Sequence, residues 1–146
     1  MSRSRRGENG QELVEFALIV PLLLLIVFGI CEFAVAVFSY DAISNAAREG
    51  ARFGAISANS ASANGATQTC VSPTNPIVQR TCRLTAGLRP EAIRVTPTRL
   101  AGVDTGRQAV RVVVSYDSRF VSGLVIAAVG GDPELRLNAA ASMQIE

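Results

Sequence analysis

GQELVEFALIVPLLLLIVFGICEFAVAVF, residues 10–38, decides the fold of this 146-residue chain. Residues 16–31 run for sixteen positions without a charge; Glu32 interrupts, and FAVAVF continues to Phe38. An α-helix rises ~1.5 Å per residue, so residues 16–38 cover roughly 34 Å, enough for a hydrocarbon core of about 30 Å. One charge in these 23 residues is too apolar for the buried helix of so small a soluble chain. The run therefore predicts a single membrane-spanning helix. Pro21 predicts a kink or local unwinding within it, and Gly29 a second soft point.

The flanks orient the span. Arg3, Arg5 and Arg6 precede it, and the next basic residue is Arg48. The excess of positive charge places the N-terminus in the cytoplasm and the C-terminal part outside, in an inner-membrane protein. A cleaved secretory signal is the competing reading, because AVA at residues 34–36 has the small-x-small form. That tripeptide lies inside the continuing apolar run, which argues for retention of the span. Glu32 falls near the outer interface, where it either snorkels to headgroups or pairs with an Arg of another subunit. Cys31 within the span reads as a small apolar packer, with lipidation as the alternative.

Two carboxylates, Glu12 and Glu15, stand at the mouth of this run, where a plain anchor gains nothing from them. GQELVEF, residues 10–16, resembles the processing site of type IV prepilin-like proteins. These have a short basic leader ending in Gly, then a hydrophobic stretch with Glu at its fifth residue. With Gly10 as the last leader residue, Gln11 is the first mature residue, Glu15 the fifth and Phe16 the sixth. Glu followed by an aromatic is the preference of Flp-class pilins and pseudopilins. Cutting after Gly7 instead puts Glu12 fifth, but leaves Leu13 next and a polar new terminus; the Gly10 frame fits better. AAREGAR, residues 46–52, follows the span as it does in the TadE-like family of the tight-adherence (Flp) pilus system, and the chain resembles that family over residues 8–55. The resemblance implies a minor pilin or assembly pseudopilin, cut by a prepilin peptidase, with other pilin-like subunits and the Tad/Flp assembly machinery as partners. It also implies a role for Glu15: neutralising the freed amine of a neighbouring subunit in the membrane.

Beyond the span, Ile43, Ala46, Ala47, Gly50, Ala51 and Gly54 recur at three- and four-residue steps, with Arg48, Glu49 and Arg52 off that stripe. The reading is one helix from Glu12 to about Ala58, whose small-residue face packs on a C-terminal sheet or a sibling subunit. Residues 57–68, SANSASANGATQ, read as a linker. Cys70 and Cys82, with Pro73 and Pro76 between them, should be oxidised outside the cytoplasm. Closing such a loop contributes about 3 kcal/mol in the chain-entropy model. Residues 92–96, 109–116 and 135–145 alternate as half-buried strands, with GVDTG at 102–106 suited to a hairpin. Residues 120–129, FVSGLVIAAV, fit a short buried helix, a loop or an exposed patch equally well.

The expected fold is α+β and pilin-like: a long N-terminal transmembrane helix packed on a small antiparallel sheet. Its divisions are a basic leader (1–10), a membrane and stalk helix (11–58) and an extracytoplasmic α+β domain (59–146). Among function classes, the composition argues against most chemistry. The chain has no His and no Lys, and Glu91, Asp104, Asp117, Asp132 and Glu134 show no paired spacing, so no catalytic set, cofactor site or metal site is expected. With a net charge of only +2 and scattered Arg, it also lacks a nucleic-acid footprint. No small-molecule substrate is expected. The alternative function is an uncleaved single-pass anchor for an extracellular binding or sensing domain.

Overall fold

A computed structural model describes residues 8–101, 108–119, 123, 127, 130, 131 and 134–145. Helix α1 (Glu8–Ala55) is continuous. Pro21 removes one backbone donor, yet the chain stays helical through it and through Gly29, so the unwinding expected there does not occur. The chain forms two compact units, Met1–Val35 and Ala36–Glu146.

In the first unit the described helix is exposed on every side. Leu18 is 72% exposed and Phe33 71%, and Leu13, Phe16, Leu22, Leu25 and Ile30 are all outside any protein core. Polar solvent tolerates scattered apolar side chains but not an uninterrupted cylinder of them. Lipid tails do. The helix has the length and composition of a membrane span, and none of its most apolar window is buried in protein.

The second unit is an α+β domain built on the rest of α1. Helix α2 (Ser57–Ser60) and α3 (Pro76–Cys82) follow. The sheet comprises β1 (Gln68–Thr69), β2 (Ile93–Leu100), β3 (Ala109–Arg119) and β4 (Glu134–Gln144), in that spatial order and antiparallel throughout. Its inner face carries Ile93, Val95, Val110, Val112, Val114 and Tyr116, all buried, and Ala139. Leu137, Ala141 and Met143 on β4 are partly buried against this core. The alternation legible in 109–116 and 135–145 is thus the pleat of a sheet with one covered face.

What covers it is the stripe on α1. Ile43, Ala46, Ala47, Gly50, Ala51 and Gly54 are buried, whereas Arg48 and Arg52 are exposed. The approach is close. A Cβ at Gly54 would stand 2.8 Å from Val110 Cγ1 and 3.0 Å from Ile77 Cδ1. A Cβ at Gly50 would collide with Thr81 Oγ1, a hydroxyl already held by its bond to the Ile77 carbonyl at 2.8 Å.

Several elements differ from the sequence expectations. α1 stops at Ala55 rather than running to Ala58: Ile56 is extended, with φ −65° and ψ 126°, and the Asn59 side chain donates to the Phe53 carbonyl at 3.2 Å. That bond satisfies one of the acceptors a helix end leaves free. The tract 57–68 is not all linker, because it holds α2 and the first residue of β1. The Cys70–Cys82 loop contains α3. Asn75 caps it by accepting from Ile77 N at 2.9 Å, and Pro76 occupies its first turn, both ordinary helix-start chemistry.

β2 runs past Thr96 through Pro97. Pro97 lacks a donor, but its carbonyl accepts from Gly65 N at 2.8 Å, on the side away from β3. A residue's N–H and C=O point the same way across a strand, so no bond of the β2–β3 ladder is lost. The expected turn at 102–106 and most of residues 120–129 lie outside the described residues.

Gly54→Ala tests the close packing. Helix propensity alone favours Ala by about 1 kcal/mol, while overpacking a tight contact costs about 1–3 kcal/mol. The expected outcome is a lower melting temperature for the full chain in detergent micelles; an unchanged or higher one contradicts the packing.

Candidate functional site

Gly10, Gln11, Glu15 and Phe16 all lie in the first three turns of α1 and are exposed, Phe16 at 65%. Glu15 is one turn below Gln11 on the same face, and Gln11 Nε2 donates to Glu15 Oε1 at 3.2 Å. The carboxylate therefore points toward the N-terminal end of the helix rather than into the apolar stretch. Apart from its chain neighbours and the backbone of its own helix turns, no atom of the described residues comes within 4 Å of a Cβ built at Gly10. The Gly10–Gln11 bond is accessible from the side, and it sits in a first turn whose N–H groups have no intrahelical partners. Unwinding that turn is cheap.

The second cluster lies at the other end of α1, in the second unit. In residues 46–52 the small residues point inward and the charged ones outward. Arg48 donates to Asn45 Oδ1 at 2.6 Å. Glu49 accepts from Arg52 at 2.8 and 2.9 Å, and from Arg80 of α3 at 2.8 and 3.1 Å. Those hydrogen bonds, Arg52 first and Arg80 second, hold its carboxyl down at about 2. Arg80 belongs to a run of three consecutive contacts. Thr81 lies under Gly50, and Cys82 forms a disulfide with Cys70 across a Cα–Cα distance of 5.5 Å. An ion pair, a tight steric contact and a covalent bond thus fasten α3 to its surroundings.

A third polar arrangement lies on the outer face of the sheet. Asp117 accepts from Arg136 at 2.7 Å and from Arg94 at 2.8 Å. Arg136, and then Arg94, push its carboxyl below the usual range. These are cross-strand pairs that fix the register of β2, β3 and β4.

Among the described residues, no three His, Cys, Asp or Glu side chains gather as metal ligands. A groove of about 430 Å³ beside Phe53, Ile56 and Met143 is also lined by Glu49, Arg52 and Arg80, but these three are occupied with one another. Gly10, Gln11, Glu15 and Phe16 fall in one unit and the Cys70–Cys82 disulfide in the other.

Sequence reasoning passed over the Glu49–Arg80 pair, which joins residues 31 apart and has no local signature. It also passed over α3, although Asn75-Pro76 before IVQRTC is a recognisable helix start. The Gln11–Glu15 spacing of four residues was likewise available as a signal.

Residues 10–52 match the family model described as TadE-like protein. The match begins at Gly10, before the apolar run, and ends at Arg52, the cation that grips Glu49. No curated protein and no solved structure matches the chain significantly.

The Glu49 cluster has a pH signature. A carboxyl lowered from 4.5 to about 2 stabilises the fold at pH values above its unfolded pKa, and that contribution is lost as pH falls from about 4.5 toward 2. Melting curves of the full chain in micelles should show an acid limb in this window, shallower in Glu49→Gln. An identical limb in the variant means the pair adds nothing to stability.

Proposed function

We propose that this chain is a minor-pilin- or pseudopilin-like structural subunit that serves assembly of a tight-adherence, Flp-type pilus. The observation that carries the reading is the register at the start of α1. Counted from a cut after Gly10, Gln11, Glu15 and Phe16 take the first, fifth and sixth positions that the processing motif asks for, inside a segment matching the TadE-like model. The exposed apolar helix supports insertion, and the arginines at positions 3, 5 and 6 support a cytoplasmic N-terminus.

The mechanism follows from charge in low dielectric. A prepilin peptidase cuts after Gly10 and frees an amine on Gln11. The helix stays in the inner membrane with the α+β unit outside. An isolated carboxylate near the hydrocarbon is costly, as is an isolated ammonium, but a pair is much less so. Glu15 of one subunit therefore meets the Gln11 amine of the next, and the two charges select neighbours at a fixed axial offset. All-round apolar side chains let the helices slide together without leaving a polar group in lipid.

One observation favours a second reading. The Gln11–Glu15 hydrogen bond already gives the carboxylate a partner within its own chain, as a never-polymerised anchor for an extracellular binding or sensing domain would need. Substitution separates the two. Under the assembly reading, Glu15→Ala is inserted and cut like the parent yet supports no pili, and Gly10→Ala accumulates as an uncut precursor. Normal piliation in Glu15→Ala contradicts the pairing role, and a Gly10→Ala protein of parental size contradicts the cleavage.

A further inference from the structure

The loop after α3 lies beside the last residue of the apolar run. Phe38 ends that run and is 57% exposed. A Cβ at Gly87 would stand 3.7 Å from Phe38 Cε1 and Cζ, so the loop backbone rests against the ring. Residues 85–88 form a turn closed by Leu88 N donating to the Thr85 carbonyl at 3.1 Å. Gly87 has φ +89°, the left-handed value that the third position of a type II turn requires. The loop is held from behind: Thr85 and Leu88 are buried, Thr85 Oγ1 donates to the Cys82 carbonyl at 2.9 Å, and Cys82 is tied to Cys70. What it presents outward is Leu84, 45% exposed, with Arg83 and Ala86 also exposed.

We infer that this loop, residues 83–88, docks on the lipid surface from which α1 emerges, with Leu84 in the interfacial layer and Arg83 at phosphate level. The inference rests on the membrane reading of α1 given above. If the span ends at Phe38, whatever lies against Phe38 is at interface depth. Continuity decides the occupant. The exposed apolar surface of Val37 and Phe38 is lipid-covered in that reading, and the loop abuts Phe38. An apolar side chain beside a cation and an aromatic is the composition that interfacial layers accept, the Arg stem lying along apolar surface while its head reaches phosphate. The α+β unit is then held at the membrane by a second contact besides the helix.

The chain has no Trp, so Leu84→Trp installs a single reporter. The full-length variant is placed in vesicles of phosphatidylcholine and phosphatidylglycerol carrying a lipid-borne quencher near the headgroups. Ser142→Trp is the control for the far end of the domain, since Ser142 pairs with Arg111, next to the Val110 that packs near Gly54. Phe33→Trp is the control for the span. The expected result is severalfold stronger quenching of Leu84→Trp than of Ser142→Trp. Ala86→Trp gives the same readout from the same loop if Leu84→Trp fails to form its disulfide. Equal, weak quenching of the loop and Ser142 variants, with Phe33→Trp strongly quenched, overturns the docking alone. Failure to quench Phe33→Trp overturns the membrane reading, and the docking with it.

Discussion

The close approach of α1 to the sheet at Gly50 and Gly54 is the constraint on which the domain depends. Neither position has room for a methyl group against Thr81, Val110 and Ile77. That proximity selects which face of the sheet is inner and so places Val110, Val112 and Val114 in the core. It also leaves α3 a narrow seat. The ion pair of Arg80 with Glu49 and the disulfide at Cys82 hold α3 there from either side of Thr81. The geometry explains why charge and small size alternate so tightly between Ala46 and Arg52. Small residues admit the sheet, and Glu49 between them receives the cations that close the seam.

One helix serves two solvents, and its composition changes where the solvent does. From Phe16 through Phe38 the side chains are mostly large and apolar, and nearly all are exposed. From Ser39, which is buried, the buried set narrows to a stripe of small residues backed by charged ones. Large side chains suit lipid because nothing needs to approach closely. Small ones suit the sheet because dispersion energy falls off steeply with separation. Glu15 lies at the upper boundary of the apolar stretch, where a carboxylate keeps access to polar partners.

Much of this was legible because it is periodic. The stripe from Ile43 to Gly54, the valines of β3 and the alternation of β4 repeat often enough to declare a face. Parts of the domain do not repeat. β1 is two residues long and is defined by its partner rather than by its own side chains. β2 continues through Pro97 only because the donor that proline lacks would face the Gly65 side rather than β3, a fact of topology invisible in the local sequence. Glu49 and Arg80 meet across 31 residues through the folding of α3, so no spacing rule finds them. At the start of α1 the reverse holds. Gly10, Glu15 and Phe16 stand out by their register with a processing motif, and the structure adds a hydrogen bond from Gln11 to Glu15 within the same stretch of α1.

The central claim is that this chain is made as a precursor and becomes a subunit when Gln11 becomes its first residue. The most direct test is the mass of the N-terminal peptide of the mature protein, taken from membranes of its native host. The account predicts a chain that begins at Gln11. A chain that still begins at Met1 or Ser2 contradicts processing and leaves a plain anchor. One that begins after Ala36 contradicts the retained membrane helix, and with it the assembly role of Glu15.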